Sequence, residues 1–145
     1  MSEGFTNLFD TPISAEDVKE ALKADLLPTG WHTGTELKYE EKLVATGPNI
    51  GRPFIRVQAT IPVLNGRKAF FNASPIYKLD KNDKPDFMYR LFAGLSQAVG
   101  GGSTAGEVIG KLGYAAIDFR IAHSKNSKTD ELEDNVVAIR PVRVV

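Results

Sequence analysis

The dipeptide Asn65-Gly66 constrains this chain more than any other feature, because both residues tolerate the positive φ that a tight hairpin turn needs. It stands between two stretches of alternating character. Before it, Ile55, Val57, Ala59 and Ile61 fall on one face of an extended chain, with Phe54, Arg56, Gln58 and Thr60 on the other. After it, Lys68, Phe70 and Asn72 alternate with Ala69, Phe71 and Ala73. Two antiparallel strands joined at residues 65 and 66 follow from that pattern.

The remaining elements are placed around this hairpin. Residues 14 to 26 are expected to form a helix, with Ser14 as its cap and Asp17 three residues on as a capping-box partner. Val18, Ala21, Leu22 and Leu26 make its apolar stripe. Trp31, Thr33, Thr35, Leu37 and Tyr39 alternate with His32, Glu36, Lys38 and Glu40 as a first, half-buried strand. Beyond the hairpin the apolar period lengthens: Phe87, Met88, Leu91, Phe92, Leu95 and Val99 recur at helical steps. Asp83 and Pro85 suit the start of that helix and Gly100-Gly101-Gly102 its end. A short helical piece is expected over residues 104 to 112. Two strands follow, one carrying Ala115, Ile117, Phe119 and Ile121, the other alternating Val136, Ala138 and Arg140 with Val137 and Ile139. The polar residues 123 to 135 should join them.

The order is helix, three strands, helix, two strands. A mainly β, five-stranded OB-fold Greek-key barrel has this arrangement, with the helix between strands 3 and 4 plugging one end and the amino-terminal helix as an addition. A different five-stranded α+β domain is the structural alternative. The expected division is an arm and helix over residues 1–26 and the barrel over 27–145.

Composition narrows the chemistry. The chain contains no cysteine, which removes disulfides, thiolate metal sites and cysteine nucleophiles together. No apolar stretch approaches the roughly 20 residues that cross a bilayer. Residues 1 to 10 lack a signal-peptide pattern, so a soluble protein of the cytoplasm is expected. The formal net charge is +0, yet it is unevenly spread. Residues 1–47 carry four lysines against nine acids, whereas residues 52–90 carry eight bases against three acids. A neutral chain of this kind can present a basic face.

The face of strands 2 and 3 is where an OB barrel meets its ligand. Strand 2 offers Phe54, Arg56 and Gln58 there, an aromatic ring and a guanidinium suited to bases and phosphates. If Lys68 and Asn72 of strand 3 face solvent, Phe70 goes with them and can stack; a strand buried on both sides would bury both Phe70 and Phe71. Arg52 from the preceding loop and Arg67 at the start of strand 3 add positive charge. Tyr77, with Lys78, Lys81 and Lys84, extends the track or else caps the barrel.

Catalytic arrangements are hard to assemble. His32 and His123, the two histidines, are not ligand-spaced. Asp80, Asn82, Asp83 and Asp86 outline a calcium loop that Lys84 and Pro85 break. The glycines from 100 to 106 follow a helix rather than a strand and lack the phosphate-loop Lys-Ser/Thr ending. A non-catalytic protein without cofactor or metal is expected.

Several segments carry a family likeness. Residues Leu27-Pro28-Thr29-Gly30-Trp31-His32, Gly51-Arg52-Pro53-Phe54-Ile55-Arg56-Val57, Gly66-Arg67-Lys68-Ala69-Phe70-Phe71-Asn72, Leu112-Gly113-Tyr114-Ala115-Ala116-Ile117 and Asn135-Val136-Val137-Ala138-Ile139-Arg140-Pro141 resemble the strands of phage-encoded OB-fold single-stranded-DNA-binding proteins. The resemblance spans roughly residues 27 to 141. It implies sequence-tolerant coating of single-stranded DNA in phage replication or recombination, inside an infected cell and beside replication or recombination proteins. Many such proteins end in an acidic tail, whereas residues 140–145 here are basic and apolar, so recruitment through such a tail is not implied. Two stacking rings and a few phosphate contacts make a weak binder, so self-association on the strand is expected. RNA remains open as a ligand. The competing function is a protein-interaction or virion structural β-domain, in which the same aromatics would bury against a protein.

Overall fold

The computed structural model describes residues 8–18 and 26–143. It is mainly β. Five antiparallel strands, β1 (Gly30–Leu43), β2 (Pro53–Ile61), β3 (Arg67–Ala73), β4 (Ile117–Lys125) and β5 (Leu132–Pro141), lie in the order β3-β2-β1-β4-β5. Helix α1 (Phe87–Ala98) and the shorter α2 (Ala105–Gly110) fall between β3 and β4.

The hairpin forms where Asn65-Gly66 places it, with φ of 57° and 77° at these residues. Its connection is longer than the dipeptide: Ile61 pairs with Arg67, and Pro62–Leu64 make a 3-10 turn first. Proline cannot donate to the ladder, so pairing stops at Ile61. The alternation of β2 is realised in its inward set, and Thr60, on the outward side, is itself buried. Ile55, Val57, Ala59 and Ile61 are at most 3% exposed, while Arg56 stands in solvent. On β3, Ala69, Phe71 and Ala73 point inward, and Phe70 points outward with 45% of its surface exposed.

Strand β1 departs from simple alternation. Glu36 takes a φ of 51°, and the register with β2 slips between Thr35 and Lys38. The extra residue makes a bulge. Trp31, Thr33 and Thr35 lie outward as a set, and beyond the bulge Leu37 is buried and Lys38, Glu40 and Lys42 lie outward. Leu37 and Tyr39 therefore do not share the face of Trp31, as unbroken alternation predicts. A second slip, between Arg120 and Ile121, makes Val137 the extra residue of β5. Ile139 is buried in consequence, with Ala138 and Arg140 on the opposite face.

The bulge lets β1 serve two partners. Its first residues, from Gly30 to Gly34, pair with β4, and its later ones pair with β2. At the crossing Gly34 has no room for a side chain: a Cβ would lie 2.7 Å from Phe119 Cε1 and 2.9 Å from Ala59 Cβ. Gly34→Ala is expected to cost about 1–3 kcal/mol through overpacking, read as a lower urea midpoint at unchanged slope.

The sheet curls in the manner of a barrel but is not closed. The outer strands β3 and β5 approach one another without pairing. Between them lies a recess of about 470 Å³, walled by Ala69 to Asn72 on one side and Glu133 to Val136 on the other. Leu27, 2% exposed, packs into this gap. It is held there by Asp134, which accepts from the Leu27 amide at 3.0 and 3.1 Å, and by His123 Nε2, 2.7 Å from the Leu27 carbonyl oxygen. Helix α1 covers the core next to β5. Gly94 permits that contact, since a Cβ there would lie 2.7 Å from the Ile139 carbonyl oxygen.

Several boundaries differ from the sequence-based expectation. Helix α1 begins at Phe87, after Asp86, because Asp83 and Pro85 belong to a turn. There Asp80 Oδ1 accepts from the amides of Asn82 and Lys84, and Leu79 bridges Pro85. The acidic cluster is thus occupied by its own backbone. Strands β4 and β5 run longer than expected, leaving residues 126–131 as their connection. At the amino terminus, Ser14 Oγ accepts from the Asp17 amide, and residues 15–18 are helical. Ala21 and Leu22 of the expected stripe lie outside the described residues. Among the described residues no helix is long and apolar enough to cross a membrane.

Candidate nucleic-acid interface

The outward side chains of β1, β2 and β3 meet in rows set by strand pairing. Lys38 stands opposite Gln58, and Gln58 opposite Phe70. Glu40 stands opposite Arg56, and Arg56 opposite Asn72. Lys42 stands opposite Phe54, and Thr60 opposite Lys68. Each row crosses strands about 4.8 Å apart, so neighbouring groups can touch one ligand.

The centre of this surface is the pair Phe70 and Arg56. The Arg56 guanidinium lies over the Phe70 ring, 4.8 Å from its centroid. A shallow recess of about 310 Å³ opens beside them, lined by Lys38, Tyr39, Glu40, Arg56, Gln58 and Phe70. The larger recess between β3 and β5 shares Arg56 and Phe70 and continues to Asn72 and Phe87. Asn72 Oδ1 is buried without a hydrogen-bond partner. Phe87 is half-exposed at the first turn of α1, with the Arg90 guanidinium 5.8 Å from its ring centroid.

Charge is arranged to one side. Lys38, Lys42, Arg56 and Lys68 share the outward face with Glu40, which lies 3.7 Å from Lys42, and the exposed Glu36 and Glu41 flank them on β1. Lys68 Nζ donates to Thr60 Oγ1 at 2.8 Å, which holds the ammonium on the surface. Across the β3–β5 recess the wall is acidic, with Glu133 and Asp134. An anionic chain crossing Phe70 is therefore favoured toward β1 and β2 and disfavoured toward β5.

Of the residues singled out from sequence, Phe54, Arg56, Gln58, Lys68, Phe70 and Asn72 share this face. Three do not. Arg52 is 7% exposed and faces inward. Its guanidinium pairs in a fork with both Asp86 oxygens, one of them at 3.0 Å from Nη2, and donates to the Ile76 carbonyl at 2.8 Å. That pairing holds the Asp86 carboxyl below the usual carboxylate range. A loop position suggested an accessible cation, but the fold spends this charge on the start of α1. Arg67 lies on the inward side of β3 beside Ile61, its Nη1 donating to the Leu26 carbonyl at 3.4 Å. Tyr77 sits in the β3–α1 connection, edge-on against Tyr89 at 5.0 Å between centroids.

Lys38 and Lys42 on this face, and Phe87 with Arg90 beside the larger recess, were not singled out as site residues from the sequence. The three-residue step from Phe87 to Arg90 was a visible signal, since such pairs meet on a helix surface. Among the described residues no cluster of three His, Cys, Asp or Glu is placed to hold a metal. No protein-family model matches the chain, and no curated protein matches it.

Proposed function

We propose that this chain is a non-catalytic protein that coats single-stranded DNA on the outward face of β1, β2 and β3. The observation that carries this is the half-exposed Phe70 ring beside Arg56, with Lys38, Lys42 and Lys68 on the same face. A base has a π-face for the ring, and its phosphates have cations within one or two strand spacings. The strand order, with a helix between β3 and β4, supports an OB-type barrel, whose ligand face lies on these strands. Bases stack on Phe70 and Phe54, while Lys38, Arg56, Lys42 and Lys68 neutralise the backbone. The role is sequence-tolerant protection of displaced strands in replication or recombination, in a phage-infected cell. Several copies along one strand supply the affinity that one domain lacks.

Fluorescence anisotropy of a labelled oligo-dT tests this. Three or four phosphate contacts predict that log affinity falls with log salt at a slope of about −2 to −3. Duplex DNA should compete poorly, and a matched oligo-U measures any preference for DNA. Absence of binding at low salt would overturn the proposal and favour a protein-interaction domain.

A further inference from the structure

A second aromatic–guanidinium pair lies on the same outward side of β1, on its other half. The Arg140 guanidinium rests 3.7 Å from the centroid of the Trp31 ring, closer than Arg56 lies to Phe70. Behind it Asp118 is buried, accepts from Thr33 Oγ1 at 2.6 Å and lies 3.6 Å from Arg140 Nε. The buried carboxylate helps hold the guanidinium over the indole. Trp31 is 39% exposed, and the exposed Arg120 stands opposite it on β4. No hydrogen bond ties either guanidinium to another described residue. Asp118, the acid beside these two arginines, is already engaged by Thr33 and Arg140.

The two pairs belong to one continuous surface because of the bulge at Glu36. It keeps Trp31, Thr33 and Thr35 outward before the irregularity and Lys38, Glu40 and Lys42 outward after it. Unbroken alternation would have turned one half inward. A ligand leaving Phe70 by way of Lys38 can follow β1 to Trp31 without crossing the core.

We propose that Trp31, Arg120 and Arg140 form a second subsite for the same single strand, so that the strand wraps from the β2–β3 face along β1 onto the β4–β5 face. This rests on the function proposed above. Phosphates meet Arg120 and the outer edge of Arg140, and a base lies against the exposed part of the Trp31–Arg140 stack. Short strands occupy the Phe70 subsite alone, and longer ones fill both.

Trp31 is the chain's one tryptophan, so its emission reports this subsite directly. Labelled oligo-dT of about 6 and about 30 nucleotides, the first near the lower end of what one OB domain covers and the second beyond its upper end, would be titrated against the full chain. Anisotropy and tryptophan emission are read in the same samples. The expected result is saturable anisotropy with both, and a change in Trp31 emission with the longer strand alone. The salt slope should steepen by about 1.4 for the longer strand, two phosphate contacts' worth, and Arg120→Glu should abolish that increment. Binding by anisotropy with unchanged emission, and no effect of Arg120→Glu, overturns the second subsite and leaves the Phe70 face standing. Binding of neither strand overturns both.

Discussion

Asp86→Ala should destabilise the fold by about 3–5 kcal/mol, the range for removing one partner of a buried ion pair. Three losses coincide. The Arg52 guanidinium, 7% exposed and with an Nε that already lacks a partner, is left as an uncompensated charge. The cap of α1 disappears, because Asp86 Oδ1 accepts from the Tyr89 amide at 3.0 Å. The tie between the β1–β2 loop and the helix is cut. Urea unfolding at neutral pH measures the change. The pH dependence has a definite sign. Asp86 holds its proton less tightly in the folded protein than in the unfolded chain, chiefly because Arg52 donates to its carboxylate. Its contribution is therefore complete above the ordinary aspartate value of about 4 and is lost as pH falls through the lower folded value. Asp86→Asn should flatten the stability profile over that acid range, and an unchanged profile would mean that the pair does not form.

Phe70 and Phe71, adjacent in the chain, should give opposite phenotypes when replaced by alanine. Phe70 is half-exposed over Arg56, so Phe70→Ala should leave stability within about 1 kcal/mol of the parent. It should weaken oligo-dT binding by about 5- to 100-fold, the equivalent of one lost base stack. Phe71 is 5% exposed and lies in the core opposite Val57. Phe71→Ala should cost about 3–5 kcal/mol of stability while leaving the affinity of whatever remains folded near the parent value. Anisotropy and urea titration on both variants decide the matter. Equal binding by Phe70→Ala and the parent would remove the stacking role.

The contrast between these residues also marks how far the sequence can be read. Alternation around Asn65-Gly66 identified the buried face of β2 from Ile55 to Ile61, because a hairpin with one wet face imposes a strict period of two. It narrowed the question at Phe70 and Phe71 to a choice, and the parity of Ala69 and Ala73 resolves it. The bulges left no comparable trace. Glu36 adopts a left-handed conformation with an ordinary side chain, and Val137 looks like any other strand valine. Nothing local announces either, since the cause is the need of β1 and β5 to bend around the core. Arg52 illustrates the other limit. Its partner lies 34 residues away, and pattern within a window cannot pair a loop arginine with a helix cap. Lys38 and Lys42 were visible as charged residues but not as members of the face, because their orientation depends on the bulge.

The double service of β1 has a consequence for how the chain reaches this structure during synthesis. Gly30 to Gly34 find their β4 neighbours only at Ile117 to Ile121, more than 80 residues further along the chain. The β1–β2–β3 meander can assemble early, since its pairings are local. The leading half of β1 must wait, with the backbone groups of that edge unpaired, until β4 has left the ribosome. Closing so large a loop makes that the slow step and leaves the half-made protein sticky in the interval.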